Sequence, residues 1–558
     1  MSIRNNPDNN LHETHEVFNQ PTPLENYNAY DSDLVLQHWT SQYGGDPLSP
    51  RIRNYGQHVG HELIEAGFLA NKYKPEFESH NRSGERIDLV NFHPSYHQLM
   101  RTAITAGLHN LPWLEPGVGA HVARGAMNYL HQQIESGSGC PLTMTFASIP
   151  SIKLAPEIAE HWLPKILSPH YDERNIPWFD KQGLTIGMAM TEKQGGSDVR
   201  ANTTTARFVG STSNGQEYEI TGHKWFCSAP MSDAFLVLAQ TGNGLSCFLM
   251  PRWRPDGSKN AFLIQRLKDK LGNRSNASSE VEFRNAYAQM IGEEGKGVRT
   301  IIEMVAMTRF DCMIGSSALM RAGVAQATHH AKSRSVFGKN LFDQPLMQNV
   351  LADLAIESEA ALAMSMRVAS ALDLAATDSQ QQLFARLALA VGKYWICKRT
   401  PQHAYEAMEC LGGSGYVEEN VMPRVYREAP VNAIWEGSGN VQCLDLIRAL
   451  GKEPAVIDAF LEEVMLAQGL DATFDDYIHQ LKNQFVDAST LEFRARGVME
   501  KMALALQGSL LLRHSDQNVA QAFITSRLAG QGGYQYGTLG KEINCKAIIE
   551  RACPQDKI

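Results

Sequence analysis

Ala189-Met190-Thr191-Glu192-Lys193-Gln194-Gly195-Gly196-Ser197-Asp198-Val199-Arg200-Ala201 sets two hydroxyls, two adjacent glycines and an acid within one short stretch. The Gly195-Gly196 pair lets the backbone turn sharply and come close to a ligand. Thr191 and Ser197 place hydroxyls and free amides beside that turn, which suits a phosphate or the polar edge of a heteroaromatic ring. A solvent-facing loop has a similar composition, so the stretch has to be read with its surroundings.

The chain changes character on either side of it. Over residues 31–167 apolar positions recur at helical spacing and β-branched runs are few, so 53–72, 94–106 and 117–136 are expected helices. Near Leu184 the pattern becomes short strands, among them 217–221, 234–240 and 245–250, with Asn214-Gly215 as a hairpin turn. After Gly297 long amphipathic helices return at 297–332, 347–376 and 380–410. A further helix follows Gly437-Ser438-Gly439 and runs to about Leu450. Gly451-Lys452-Glu453-Pro454 reads as a hinge into a last helical segment, which ends in a glycine-rich loop at 529–537. The expected divisions are 1–30 as an extension, 31–184 helical, 185–290 β, 291–450 helical and 451–558 an extra helical region.

The 558 residues correspond to three or four domain-sized units. Hydrophobic residues make up 43%, enough for large cores, and the net charge of -9 argues against a generally basic, nucleic-acid-coating surface. Nine scattered cysteines without a Cys-x-x-Cys pair fit reduced thiols in a cytoplasmic protein rather than disulfides or a metal site. No apolar run is long enough to span a membrane. Residues 1–10 are polar, lack the apolar core of a signal peptide, and are expected to be mobile.

Four further strings carry chemistry. Glu409-Cys410-Leu411-Gly412-Gly413-Ser414-Gly415-Tyr416-Val417-Glu418-Glu419, followed by Arg424 and Glu428, is at the least a glycine-capped helix end. In Arg334-Ser335-Val336-Phe337-Gly338-Lys339 the arginine supplies a forked donor suited to pyrophosphate. Gly222-His223-Lys224-Trp225-Phe226-Cys227-Ser228 is a strand in which His223 and Trp225 are assigned to packing. In Ile434-Trp435-Glu436-Gly437-Ser438-Gly439-Asn440 a glutamate stands between a bulky aromatic and a glycine-rich turn that opens a helix, unlike the solvated glutamates that dominate most surfaces.

Together these strings resemble the acyl-CoA dehydrogenase superfamily over about residues 30 to 450, with 189–201 and 409–419 matching its two signatures at every fixed position. The resemblance implies an α+β multidomain fold: an N-terminal helical domain, a central β domain and a C-terminal four-helix bundle, plus the extra helical region found in some branches. It implies FAD, held by Met190, Thr191, Gly196 and Ser197, with Phe226 packing on the flavin and the Ser228 hydroxyl meeting N5. Arg334 and Phe337 would reach the adenine half of the FAD of a neighbouring subunit, together with Glu409, Gly412 and Gly413. Ser438 and Asn440 complete the implied cofactor set. Glu436 aligns with the catalytic base, with Ser438 replacing the usual threonine. It would take the α-proton of an acyl-CoA as the flavin accepts the β-hydride. Burial beside Trp435 is expected to raise its pKa. Arg309, in Met307-Thr308-Arg309-Phe310, resembles an arginine near the base and is assigned to catalysis, although a helix-surface charge fits it equally.

His15-Glu16-Val17-Phe18-Asn19-Gln20-Pro21 and the polar Arg266-Leu267-Lys268-Asp269-Lys270-Leu271-Gly272-Asn273-Arg274-Ser275-Asn276-Ala277-Ser278 are similar to the branch belonging to the bacterial adaptive response to DNA alkylation. That branch implies a homotetramer and double-stranded DNA binding through the C-terminal region. The tail supports this unevenly. From Lys452 on, 11 Lys and Arg face 14 Asp and Glu, and residues 453–476 hold no Lys or Arg. Basic residues lead later, as Lys482, Arg494, Arg496, Lys501, Arg513, Arg527, Lys541, Lys546, Arg551 and Lys557. Assembly could gather them into a groove, and a plain charged helix face is the alternative. Three readings follow: a stress-linked flavoprotein with dehydrogenase chemistry and DNA binding, a metabolic acyl-CoA dehydrogenase or oxidase, and a DNA-binding protein whose flavin is mainly structural.

Overall fold

The structure is a computed structural model that describes residues 14–213 and 215–555. The polar start at 1–10, Asn214 of the hairpin turn and Lys557 lie outside the described residues. The N-terminal helical layer comprises α1 (Leu34–Gln42), α2 (Ser49–Val59), α3 (Glu62–Lys72), α4 (Pro94–Ala106), α5 (Leu111–Leu114), α6 (Ala120–Ile134), α7 (Gly139–Ile152) and α8 (Pro156–Ile166). The helix expected at 53–72 is two helices. Gly60 packs so closely on the Tyr27 backbone that no Cβ fits, and the chain turns there before α3 begins. Among these helices lies a hairpin of β1 (Glu76–His80) and β2 (Arg86–Asn91). β1 alternates between exposed and half-buried, and the buried positions of β2 are Asp88 and Val90, one of them an acid, so the period-2 signal is weak. Its function is to dock: the Asp88 carboxylate accepts from the Ile264 amide at 3.2 Å and Arg86 donates to the Ile264 carbonyl at 2.6 Å.

The central sheet contains β3 (Ile186–Ala189), β4 (Thr205–Thr212), β5 (Gly215–Ser228), β6 (Ala234–Thr241), β7 (Gly244–Pro251), β8 (Phe262–Leu267) and β9 (Ser278–Ile291). The path β4–β5–β9–β7–β6 is antiparallel and returns to β4 where Thr205 lies opposite Gln240, with β3 parallel to β6 and β8 paired to β9. Phe235, Phe248, Phe262 and Phe283 belong to the buried cluster at its centre.

Then come α9 (Gly297–Ser333), α10 (Pro345–Leu374), α11 (Ser379–Glu409), α12 (Met422–Glu428) and α13 (Gly439–Lys452). The Cys397 thiol donates to the Cys312 carbonyl, and Gly323 faces Ala407, so α9 and α11 run parallel. Glu357 of α10 pairs with Arg399 and Arg367 with Gln381, while Asp445 of α13 pairs with Arg386 and Gly439 faces Tyr394, so α10 and α13 run opposite to α11. These four helices form the bundle. The remaining helices are α14 (Ala455–Met465), α15 (Ala472–Asn483), α16 (Leu491–His514), α17 (Gln517–Phe523) and α18 (Cys545–Ala552). They pack on the bundle and share its hydrophobic core, with Phe460, Phe474, Leu506 and Ile549 fully or almost fully buried. Among the described residues no helix is long and apolar enough to cross a membrane.

Candidate active site

Glu436 lies in a turn held by three helices. Its φ of +58° is in the left-handed region that a side chain enters at a cost, and Gly437 follows at +95°. Lys393 from α11 donates to the carbonyls of Trp435 at 2.8 Å and Gly437 at 2.5 Å. Arg309 from α9 and Gln442 from α13 each donate to the Glu436 carbonyl at 3.1 Å, and Gln442 also reaches Gly437 at 2.9 Å. The backbone is therefore fixed by donors to its oxygens. The carboxyl group accepts one hydrogen bond, from the Thr308 hydroxyl at 2.6 Å. Burial raises the Glu436 pKa, and the Thr308 bond and the charges of Lys393 and Arg309 oppose that rise without cancelling it. Arg309 does not fit the direct catalytic assignment, nor is it a helix-surface charge. It is buried, binds Asp445 at 2.7 Å, and touches only the backbone of the base. Its contacts are those of a group that holds the turn in place.

A polar ridge faces this turn. Cys140, at the start of α7, feels the Glu436 charge, and the Ser228 hydroxyl and Asn276 amide stand beside its thiol, which burial pushes up to about 12. Ser228 closes β5 with its hydroxyl 3.2 Å from that of Ser278, and Lys270 donates to the Ser278 hydroxyl at 2.9 Å and to the Asn276 carbonyl at 2.5 Å. The loop that carries this ridge is clamped by two buried carboxylates. Both Glu428 oxygens accept from the Asn273 amide at 2.8 Å, and Glu135 accepts from the Ser275 hydroxyl at 2.7 Å. Burial and the nearby Glu135 push the Glu428 pKa up to about 7.

The Gly-Gly stretch turns between Glu192 and Gly195, which exchange backbone hydrogen bonds at 3.3 and 3.0 Å. Glu192 anchors it from inside, accepting from Lys224 at 2.8 Å and from the Thr203 amide at 2.8 Å. Burial works to raise its pKa, but the Lys224 ammonium and these bonds outweigh that and hold it at about 2. A Cβ on Gly196 would come 2.5 Å from the Thr191 hydroxyl, so only bare backbone leaves that hydroxyl accessible. Gly196 and Ser197 are exposed, the Trp225 amide donates to the Thr191 carbonyl at 2.8 Å, and the next residue, Phe226, has 51% of its surface open. A half-exposed ring, with the Lys268 ammonium 4.4 Å from its centroid, beside a glycine cradle and a hydroxyl fits a planar heteroaromatic group. Met190 contributes backbone only: its side chain packs on the core and its carbonyl accepts from Asn202 at 2.9 Å.

The other implied cofactor residues lie elsewhere in the chain. Arg334 is 25 residues beyond Arg309, from which it is separated by about 37 Å of helix. It donates to the Asn19 carbonyl at 2.6 Å, and the Asn19 side chain ties down Ser335. Phe337, at φ +53°, projects almost wholly into solvent. Glu409, Gly412 and Gly413 are exposed at the same end of the parallel pair α9 and α11. Ser438 precedes α13 without capping it, and the Asn440 carbonyl oxygen accepts from Arg496 of α16 at 2.9 Å. The Asn440 side-chain oxygen is thus held by the C-terminal region in this chain.

The tail arginines correct another expectation. Arg527 pairs with Asp353 and Glu357, Arg551 with Glu359 and Arg513 with Glu463, all with largely buried partners. These three are structural pins rather than an open phosphate-binding face. Thr308, Lys393 and Gln442 were not anticipated. Lys393 had a signal, a lone cation ending the apolar run Leu387-Ala388-Leu389-Ala390-Val391-Gly392.

A buried glutamate in a helix-opening turn, a β domain with an open glycine-lined edge and a four-helix bundle are the architecture of an acyl-CoA dehydrogenase-type flavoprotein. Comparison with known proteins agrees. Residues 19–173 match the adaptive response protein AidB N-terminal domain, 187–286 the acyl-CoA dehydrogenase middle domain, and 295–451 the acyl-CoA dehydrogenase C-terminal domain. The putative acyl-CoA dehydrogenase AidB of Escherichia coli K12 is 46% identical over 524 residues, covering 93% of this chain and 96% of that one. The structure titled Bd2924 apo-form superposes with a TM-score of 0.82 at 26% identity, covering 89% of this chain and 99% of that one. Caenorhabditis elegans ACDH-11 in complex with C11-CoA superposes at 0.83 with 24% identity, covering 98% and 94%. The chain belongs to the AidB family of acyl-CoA dehydrogenases, FAD-dependent oxidoreductases acting on CH–CH bonds.

Proposed function

We propose that this chain oxidises an acyl-CoA between its α and β carbons, with Glu436 removing the α-proton. The observation that carries this is the pairing of a buried, singly hydrogen-bonded carboxyl group with a backbone locked by Lys393, Arg309 and Gln442. FAD, when bound, supplies the hydride acceptor for the β carbon. Thr191, Gly196, Ser197 and Phe226 would hold its ring system, and Ser228, supported by Ser278 and Lys270, would present a hydroxyl to it. Thr308 steadies the ionised base before the proton moves. An acyl-CoA as ligand is supported by the C11-CoA complex of ACDH-11.

The cofactor site is shared between subunits in this reading. Arg334 stands about 37 Å along α9 from the residue that holds Glu436, so Arg334, Phe337, Glu409, Gly412 and Gly413 serve the FAD of a neighbouring copy in a cytoplasmic homotetramer. A role in the alkylation response follows the family description. Duplex DNA binding is a narrower reading, favoured by the exposed Lys482, Arg496, Lys541 and Lys546. It predicts salt-sensitive binding that falls when these four are neutralised.

The deciding experiment is anaerobic titration of the purified yellow protein with straight, branched and ring-bearing acyl-CoAs. Bleaching of the flavin band by one class is expected. Glu436→Gln should keep its flavin and slow bleaching by at least about 100-fold. A wild-type protein that no acyl-CoA bleaches, or a variant as fast as wild type, ends this reading.

A further inference from the structure

Residues 19–22 bind the C-terminal end of α9 and the segment that follows it. This strap is fastened on both sides. Towards α2, the Asn26 and Tyr27 amides donate to the Gly60 carbonyl at 2.8 and 3.3 Å. On α9, the His329 ring donates to the Thr22 carbonyl at 2.8 Å. The contacts of Asn19 then converge on Arg334 and Ser335. The string from His15 to Pro21, which takes no part in the reaction centre, thus meets the chain at the segment assigned to a neighbouring copy's cofactor.

That segment needs outside support. After α9 the chain forms a hairpin of β10 (Ser335–Val336) and β11 (Lys339–Asn340). Its two-residue turn holds Phe337 at φ +53° and Gly338 at +77°. The left-handed pair matches the twist of a hairpin, but a bulky aromatic enters that region at a cost. Two residues per strand are too few to maintain such a turn alone. The Leu341 amide donates to the Arg334 carbonyl at 2.8 Å, so the next pair, Ser335 and Asn340, is a non-hydrogen-bonded one. The amide and carbonyl of Ser335 therefore point away from β11. Asn19 meets both: its side-chain nitrogen donates to the Ser335 carbonyl and its side-chain oxygen accepts from the Ser335 amide, each at 2.7 Å. One amide side chain thus takes the place of a third strand. Asparagine suits the position, because Asn19 itself has a φ of +56°, which this residue type tolerates. The same residue aims Arg334. Its carbonyl accepts from Nη1 at 2.6 Å and fixes the half-buried guanidinium through one nitrogen. Among the described residues Nε and Nη2 have no hydrogen-bond partner and no carboxylate pairs with this arginine, so its remaining donors and its charge are left for an anion.

We infer that Asn19 is a positioning residue for the cofactor site of a neighbouring copy: it pins the hairpin through Ser335 and turns the unoccupied edge of Arg334 towards the FAD pyrophosphate. This rests on the subunit-shared reading of Arg334 above. The test is a double-mutant cycle on FAD affinity, read from free-flavin fluorescence as the holoprotein is diluted. Asn19→Gly leaves the left-handed backbone accessible and removes only the side chain. It should weaken FAD binding about tenfold. Arg334→Ala should weaken it at least as much, and Asn19→Gly should add less than about twofold in that background, because its effect passes through the arginine. A loss of general stability would instead weaken FAD binding equally in both backgrounds. Asn19→Gly protein that holds FAD as tightly as wild type, or effects of the two substitutions that multiply, overturns the inference while leaving the role of Arg334 intact. Arg334→Ala protein that holds FAD as tightly as wild type ends the subunit-shared reading, and the inference with it.

Discussion

Replacing Thr308 by Val should move the pH dependence of flavin reduction upward by about one to two units. The Thr308 hydroxyl has a single proton and two acceptors, the Glu436 carboxylate at 2.6 Å and the Val305 carbonyl at 3.0 Å. The shorter contact and the charge assign the proton to the carboxylate whenever Glu436 is ionised. When Glu436 is protonated, the hydroxyl can turn its proton to Val305, so little of its stabilisation is lost. The bond thus favours the ionised form selectively. A hydrogen bond to a charged group contributes roughly 1.5–3 kcal/mol, and 1.36 kcal/mol corresponds to one pKa unit. Valine preserves the shape and removes the donor. Glu436 must be ionised to act as base, so the rate rises with pH through its pKa, and a higher pKa displaces that limb to higher pH. The assay is anaerobic stopped-flow reduction at saturating acyl-CoA from acid to alkaline pH. Wild type and variant should converge at high pH. An unchanged midpoint, or a midpoint shifted downward, refutes the assignment of Thr308 as the partner that keeps the base ionised.

Other substitutions test the scaffold and the assembly. Lys224→Met leaves Glu192 buried without its partner and should cost about 3–5 kcal/mol, read by urea denaturation together with loss of bound flavin; a change below about 1 kcal/mol would contradict the anchoring role. Glu192 is held below its ordinary pKa, so its stabilisation is present above pH of about 4.5 and is lost as pH falls towards about 2. Acid unfolding of wild type should show this loss, and Lys224→Met should not. Arg334→Ala and Glu436→Gln, each inactive alone, should regain activity as co-expressed hybrids, because one copy supplies the arginine and the other the base; hybrids no more active than the parents would place both in one site. Arg527→Ala should lower the melting temperature by several degrees while leaving any duplex affinity unchanged, and the opposite pattern would return it to the DNA surface.

The readable parts of this chain were those governed by local pattern. Helix α4 occupies the expected 94–106, and strands β6 and β7 contain the apolar runs read at 234–240 and 245–250. Glu436 was identifiable because its neighbours, a tryptophan and a glycine turn, are adjacent in sequence. Its supports were hidden because they converge from residues 308, 393 and 442, on three different helices. The tail arginines show the same limit. A charge count sees Arg513, Arg527 and Arg551 as available, whereas the fold places Glu463, Asp353, Glu357 and Glu359 against them. A signal did exist on the other side: Asp353, Glu357 and Glu359 interrupt an otherwise apolar face of α10, and buried acids require cations.

The placement of the two cations around Glu436 explains how a carboxylate is kept both rigid and basic. A direct salt bridge would fix the side chain but pull its pKa below the ordinary range, as Lys224 does to Glu192. Here Lys393 and Arg309 bind the carbonyls of Trp435, Glu436 and Gly437 instead, and Arg309 spends its remaining charge on Asp445. The backbone stays in its left-handed conformation while the carboxyl group faces burial with only one neutral donor. Moving either cation onto the carboxylate would trade basicity for order. Keeping both on the carbonyls separates the two requirements, and this separation, more than the presence of a glutamate, is what supports the proposed role of the turn in proton removal.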